Sequence, residues 1–566
     1  MMTDCHVRSG RPSSRFADGS ALAAVVVLAL CVRFYGITTP AIWYDEAFSI
    51  LLARHEPWQI WSITARDIHP PLYYLALHCW MILFGDGVLA VRSLSVLADV
   101  GTVLLSIKLM SLVATRRATW MAGLLLALLP ISVRYSQEAR MYTLLGFWLM
   151  GATVALVCWV KEPEKKRFPI IYVLLMTAAF YTHYFAALCV LVHWFYWWSG
   201  RAGTGTALPM QPWLLVNSAI VVLFVPWLPH FVDHLSAGGV WLTSVTGEAV
   251  LSLVWQFTSM NAWGAQSLLL RAMPLMFVVA CAVMLIWKEH HLHRISGLMV
   301  GYFFIPATFF TMATLIVPVF APRYLTFAAV GLPLIVAAAL DISIRRTAVL
   351  VLVVIIMVAV EVQGLQSVYR QTDGMNGTDL RKSYRLDVLA AAIKKEAMPN
   401  DEIVFESLIW YLPFIYYNET GIWPKFYIDS SLGMFFNVAD RGGYALLPEG
   451  DRLNYFTNLH VLKCSTGNVW WIGPKTATVF RMLLENDWKQ TRTFLEGEMV
   501  ASLYTLKTSP LPEEGGLNAS ARQPPPPAAQ NCPPAPVATS ANRTVHSLRR
   551  SAIPQVSGTR VTAKTA

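Results

Sequence analysis

The chain has 566 residues, of which 55% are hydrophobic and 14% charged, with a formal net charge of +10. That balance excludes an ordinary soluble globular protein, in which about a quarter of residues are charged. It also argues against a nucleic-acid partner, because the basic residues sit in short clusters between apolar runs and the basic tail lacks interleaved aromatics.

In chain order, a basic N-terminus with Arg8, Arg11 and Arg15 precedes an apolar run from about Ala21 to Ile37. Leu30 stands directly before Cys31, where a cleavage site needs a small residue. The run therefore reads as an uncleaved first span, with residues 1–19 cytoplasmic. Later basic clusters run from Lys108 to Arg117, Lys161 to Arg167, at Arg201, from Lys288 to Arg294, and at Arg345 and Arg346. Each is expected to face the cytoplasm. Each neighbouring pair of clusters is separated by two apolar runs and one polar apex. The alternation closes only if the apolar stretch Leu72 to Phe84 lies along the outer surface. At 13 residues it falls short of the roughly 20 that a spanning helix needs.

The expected fold is an α-helical polytopic membrane protein with about eleven transmembrane helices. They are placed near 20–38, 88–112, 118–134, 140–160, 168–182, 184–200, 212–230, 266–287, 296–318, 322–341 and 347–365. These make a transmembrane domain of 20–366 whose first outer loop covers 39–87. The composition then changes. Residues 367–509 are expected to form a small extracytoplasmic α/β domain. Its predicted elements are a helix from Leu386 to Met398, strands Glu402 to Glu406 and Val469 to Gly473, a helix from Thr476 to Asn486, and a strand from Val500 to Leu506. Residues 510–566, with Pro524 to Pro527 and Ser/Thr/Ala-rich runs, read as a disordered tail.

The eight cysteines form no CxxC pair. Cys31, Cys158, Cys189 and Cys281 fall in apolar spans and read as packing residues, with Cys464 in the soluble region. Asn376-Gly377-Thr378 and Asn418-Glu419-Thr420 fit a glycosylation sequon, a pattern common by chance.

The chemistry concentrates on one side. Four polar apices share the outer face: Asp45-Glu46 with His69 in the same loop; Tyr135 to Tyr142, containing Glu138 and Arg140; Tyr181 to Tyr184, containing His183; and Pro322-Arg323-Tyr324. Bland readings exist for each. Glu138 and Arg140 could be a surface ion pair, which contributes little. His183 could be a hydrogen-bonded turn residue, and Arg323 could reach for headgroups. Asp45 stands apart. Adjacent carboxylates raise each other's pKa, which keeps one available as a base, and flanking Trp43 and Tyr44 exceed what a solubilising pair needs. Pro70 and Pro71 fix the entry to the surface helix and turn His69 towards the site. A divalent metal held by His69 and the carboxylates is the minority option, since the spacing matches no known metal box.

Trp43-x-Asp45-Glu46-Ala47, His69-Pro70-Pro71-Leu72-Tyr73-Tyr74, Tyr135-Ser136-Gln137-Glu138-Ala139-Arg140-Met141-Tyr142 and Pro322-Arg323-Tyr324 together resemble bacterial GT-C fold glycosyltransferases. The nearest group is that of protein O-mannosyltransferases and aminoarabinose transferases, which take a sugar from a polyprenyl monophosphate. The resemblance covers roughly residues 20–365. It implies a membrane glycosyltransferase of the bacterial inner membrane that moves mannose or a related sugar to an acceptor hydroxyl on the outer side. Asp45 matches the family's catalytic acid and would take the acceptor's proton in an inverting displacement, with Glu46 beside it. Arg140, Arg323 and His183 would steady the departing lipid phosphate, with His69, Glu138, Tyr142, Tyr184 and Tyr324 lining the donor site. A monophosphate donor requires no cation in principle. The acceptor, whether lipid, glycan or protein, is left open. No large insertion occurs near residue 240, where eukaryotic protein mannosyltransferases carry sugar-binding repeats, which weakens the case for a protein acceptor. Trp241, Trp255 and Trp263 in the segment from Asp233 to Asn261 read as an interfacial aromatic belt.

Two readings compete. A transporter or lipid flippase with an outward vestibule expects charges near span centres and broken helices in paired positions, which the sequence does not display. An inert assembly subunit would use the α/β domain for docking.

Overall fold

The computed structural model describes residues 12–201, 208–236, 245–260, 266–288, 293–316, 320–375, 377–427, 442–446, 455–456, 462, 468–476 and 488–507. The tail, Cys464, Trp241, Trp263, Asn376 and nearly all of the helix expected from Thr476 lie outside that set.

Every predicted span coincides with a helix or a bent helix pair. Among the described residues, six helices are long and apolar enough to cross a bilayer, and up to eight if each of two bent pairs counts as one span. This makes the chain an integral membrane protein. The remaining predicted spans fall on Pro12–Phe34, Arg167–Thr182 and Ala186–Arg201; the last two have 16 residues each, short of a full crossing. Leu72–Phe84 is a separate 13-residue helix. It buries Tyr73, Tyr74 and Leu77, while Ile82, Leu83 and Phe84 stay exposed, as for a helix lying on a surface.

Buried charge ties the bundle together. Arg33 donates to Asp99 at 2.7 Å and to the Ala127 carbonyl at 2.8 Å, and Ser132 Oγ donates to Asp99 at 2.7 Å. Arg33 thereby caps carbonyls freed where Pro130 interrupts the helix pair Arg116–Leu128 and Pro130–Ser136, which bends by 51°.

A six-stranded mixed sheet follows the last long helix, Thr347–Tyr369. Its strands are β1 (Glu402–Phe405), β2 (Lys425–Tyr427), β3 (Tyr455–Phe456), β4 (Val469–Pro474), β5 (Trp488–Glu496) and β6 (Met499–Leu506). Their order is β3-β2-β1-β4-β6-β5, parallel from β3 through β4 and antiparallel across β4-β6-β5. Central β4 is buried from Val469 to Ile472 on both faces, which explains its unbroken apolar sequence. Asp401, 4% exposed, precedes β1 and accepts from Trp470 Nε1 at 3.0 Å and the Asn468 amide at 3.2 Å, locking β1 to β4.

The sheet region is fastened to the start of the chain. The Leu408–Tyr417 helix packs on Tyr44–Ala53, and the Tyr417 hydroxyl accepts the Ile42 N–H at 2.8 Å. Gly377, at φ +84°, lies flat on the Trp43 ring; a Cβ there would come within 2.9 Å of it, so glycine is required.

Candidate active site

Asp45 occupies the first turn of Tyr44–Ala53, where the helix dipole favours a carboxylate. The two guanidinium groups that meet it come from irregular backbone. Arg140 lies in the connection between Pro130–Ser136 and Tyr142–Lys161. Arg323 sits in the 3-10 turn Pro322–Leu325, which opens the second bent helix, kinked by 40°. Arg323 donates to Asp45 Oδ2 at 3.1 Å, and Arg140 Nε stands 3.9 Å from the same oxygen. Arg140 also donates to Ser49 Oγ at 3.1 Å. The Asp45 side chain keeps 17% of its surface exposed, and Oδ1 has no hydrogen-bond partner among the described residues. The Nε donors of both arginines are buried and make no hydrogen bond.

Glu46 does not share that setting. It is fully buried and closed by Arg92, whose two donors reach its oxygens at 2.8 Å each, with the Ala139 N–H at 3.0 Å. Burial pushes its carboxyl up, but the charge and hydrogen bonds of Arg92 outweigh this and hold it below the usual range. This corrects the expectation of two carboxylates working together: successive side chains on a helix point in different directions, and Glu46 turns inward. Arg92 also donates to the carbonyls of Ile37, Pro40 and Ala41, which fixes the strand of chain leading into Asp45.

Glu138, expected to line the donor site, likewise turns inward. It is fully buried, accepts from Arg134 at 2.7 Å and from Trp43 Nε1 at 2.9 Å, and lies 3.9 Å from Arg381. The surface ion pair between Glu138 and Arg140 does not form; each has another partner. The Tyr184 hydroxyl is also spent, held by Trp227 at 2.9 Å and His234 at 2.7 Å. Through His234, which also meets the Ala65 carbonyl, it braces neighbouring loops and offers no free donor.

His69, His183, Tyr142 and Tyr324 form one aromatic wall. The His183 ring centre lies 5.6 Å from both His69 and Tyr324, and 6.4 Å from Tyr142. His69 Nδ1 meets Asp67 at 3.3 Å. Burial lowers the His69 pKa, and Asp67 only partly offsets this, so the ring is neutral at pH 7. Burial pushes His183 well down too, reinforced by His69, Arg140 and Arg323. Its Nδ1 accepts the Phe185 N–H at 3.2 Å, which leaves the proton on Nε2, an atom without a hydrogen-bond partner.

Both histidines bind protons more readily unfolded than folded, so their contribution is complete above the unfolded value of about 6.5 and drains as pH falls below it. The melting temperature in detergent is therefore expected to drop between pH 7.5 and 5.5, with a shallower slope in His183→Asn. An unchanged slope would contradict the neutral assignment.

The sequence did not single out Arg92 or Ser49, and it gave no role to Asp67 or Arg134, which stand at the edges of two of its motifs. Arg92 and Asp99 were the available signal, since charges inside a span demand partners. No cluster of three or more His, Cys, Asp or Glu side chains suited to a metal occurs among the described residues.

Compared by sequence, the chain matches no family model and no curated protein. Compared by structure, it is similar to ArnT from Cupriavidus metallidurans in the apo state, with a TM-score of 0.61 and 13% identity over 86% of this chain and 98% of that one. The chain has the GT-C fold. ArnT bound to undecaprenyl phosphate gives a TM-score of 0.59 and 14% identity over 85% and 97% of the two chains. A match over 86% of the chain exceeds what the residues up to Tyr369 supply, so the GT-C likeness reaches into the sheet region. Identity this low speaks for the fold alone.

Proposed function

We propose that the protein is a glycosyltransferase that moves a sugar, mannose or a related one, from a polyprenyl phosphate to an acceptor hydroxyl. The observation that carries this is Asp45, held at one oxygen by Arg323 and open at the other, beside two guanidinium groups with unspent donors. That arrangement provides a base and an anion site side by side. That ArnT has been captured with undecaprenyl phosphate supports a lipid phosphate as the anion.

The acceptor oxygen attacks the anomeric carbon as the bond to phosphate breaks on the opposite face. Asp45 Oδ1 takes the acceptor proton, and the lipid phosphate leaves with the bonding pair. Arg323 and Arg140 present their free Nε donors to the growing phosphate charge. Configuration inverts. Glu46 and Glu138 act by holding Asp45 and its loop in place. No step calls for a metal.

The reading places about eleven spans in the bacterial inner membrane, with the site and the 367–509 domain extracytoplasmic. A transporter or flippase is the runner-up. The two bent helices are the feature it would claim. Both bends lead into the connections that bring Arg140 and Arg323 to Asp45, which favours transfer.

Incubating purified protein with a panel of polyprenyl-phosphate sugars and an acceptor extract should release free lipid phosphate, read by mass spectrometry. Arg323→Lys keeps the charge but loses the planar fork that serves two anions at once, and should lower release by about ten- to a hundredfold. Movement of labelled substrate across vesicles with no new glycosidic bond would sink the transferase reading.

A further inference from the structure

Beside Asp45 stands a group of donors that the proposed mechanism mostly leaves idle. Tyr74, Tyr135 and Tyr142 are at most 2% exposed, and none of their hydroxyls makes a hydrogen bond. The His183 Nε2–H joins them, on a ring that is 6% exposed. Buried hydroxyls are almost always bonded, so several idle in one region point to a partner supplied from outside.

They do share one region. The Tyr142 ring centre lies 5.3 Å from Tyr135 and 6.4 Å from His183. Tyr74 lies in the first turn of Leu72–Phe84, directly after the His69-Pro70-Pro71 entry, and the His69 ring centre lies 5.6 Å from that of His183. Each is an uncharged group able to donate to a hydroxyl oxygen, and the phenols can also accept.

The surrounding charges narrow the ligand further. Glu46 is closed by Arg92, Glu138 by Arg134, and Asp67 faces His69. Asp45 carries Arg323. Among the described residues of the wall, the carboxylate oxygen left open is Asp45 Oδ1, which the acceptor proton claims in the proposed transfer, and Arg140 and Arg323 beside it repel an ammonium group. Among the described residues, the cations that face Asp45 and would meet a sugar acid are these same arginines, and the phosphate claims them. We propose that Tyr74, Tyr135, Tyr142 and His183 form the sugar subsite, and that it selects a sugar bearing neither amine nor carboxylate. The proposal rests on the transferase reading and deepens it.

The test measures binding, with no acceptor and no turnover. Full-length protein in nanodiscs is titrated with undecaprenyl phosphate and with its mannosyl, aminoarabinosyl and glucuronosyl esters. The mannosyl ester should bind at least about tenfold tighter than either charged sugar. Tyr142→Phe and Tyr74→Phe should each weaken the mannosyl ester by about fivefold and leave undecaprenyl phosphate unchanged, which also shows that the variants are folded. Equal or tighter binding of the aminoarabinosyl or glucuronosyl ester overturns the proposal, and so does a sugar that adds nothing to the bare lipid phosphate. In those cases lipid-phosphate binding itself still stands. If no lipid phosphate binds at all, the transferase reading falls with it.

Discussion

Asp45→Asn is expected to insert, fold and bind lipid phosphate, yet transfer sugar about a thousandfold more slowly. Asparagine keeps the size and an oxygen for Arg323, now 3.1 Å from Oδ2. Its amide nitrogen then occupies the place of Oδ1 and points a donor where the acceptor's proton has to go. Among the described residues, neither neighbouring carboxylate substitutes. Glu46 is sealed under Arg92, and Asp67 is committed to His69. The decisive measurement pairs initial transfer rates with lipid-phosphate affinity on the same preparation. A rate within tenfold of the parent, at unchanged affinity, removes Asp45 from the chemistry.

The largest effect on stability is expected from Arg92→Leu. Arg92 and Glu46 are both fully buried, and Arg92 also satisfies the carbonyls of Ile37 and Pro40 at 2.6 and 2.9 Å. Removing the cation strands a carboxylate and several carbonyls, at about 3–5 kcal/mol. Arg92→Leu/Glu46→Leu should recover a large part of that loss, because no charge is then left unpaired. Thermal melts of the single and double variants in one detergent decide it. If the double variant melts no higher than Arg92→Leu, the ion pair is not what the single change breaks.

Much of this was legible because membranes restrict what a sequence can mean. Length and hydropathy placed a helix at each predicted span and kept Leu72–Phe84 apart from them. Motif order brought Asp45, Arg140 and Arg323 onto one list, and the fold brings them within 3.9 Å. What failed was the reading of side-chain direction. Asp45 and Glu46 are neighbours in sequence, but a helix turns successive residues by about 100°, so one faces the pocket and the other the core. Glu138 looked like a ligand because its true partners, Arg134 and Trp43, sit 4 and 95 positions away. The bends were hidden too. Pro130 marks one, and the 40° kink after Ala329 is marked only by Gly331 and by Pro333, which has no N–H for the Ala329 carbonyl. In the sheet region, the Leu408–Tyr417 helix reads as an apolar run whose length suits either helix or strand, and packing on Tyr44–Ala53 settles it. Strand β5 has five successive exposed residues after Trp488, so it lacks the apolar alternation that would have marked it.

The hydrogen bond between Ile42 and Tyr417 joins positions 375 residues apart. A ribosome adding about 5–20 residues each second needs tens of seconds to travel between them. Throughout that interval the segment bearing Asp45 exists without the helix that later clasps it. A nascent or prematurely terminated chain that stops short of Tyr417 therefore carries the Asp45 segment unsupported.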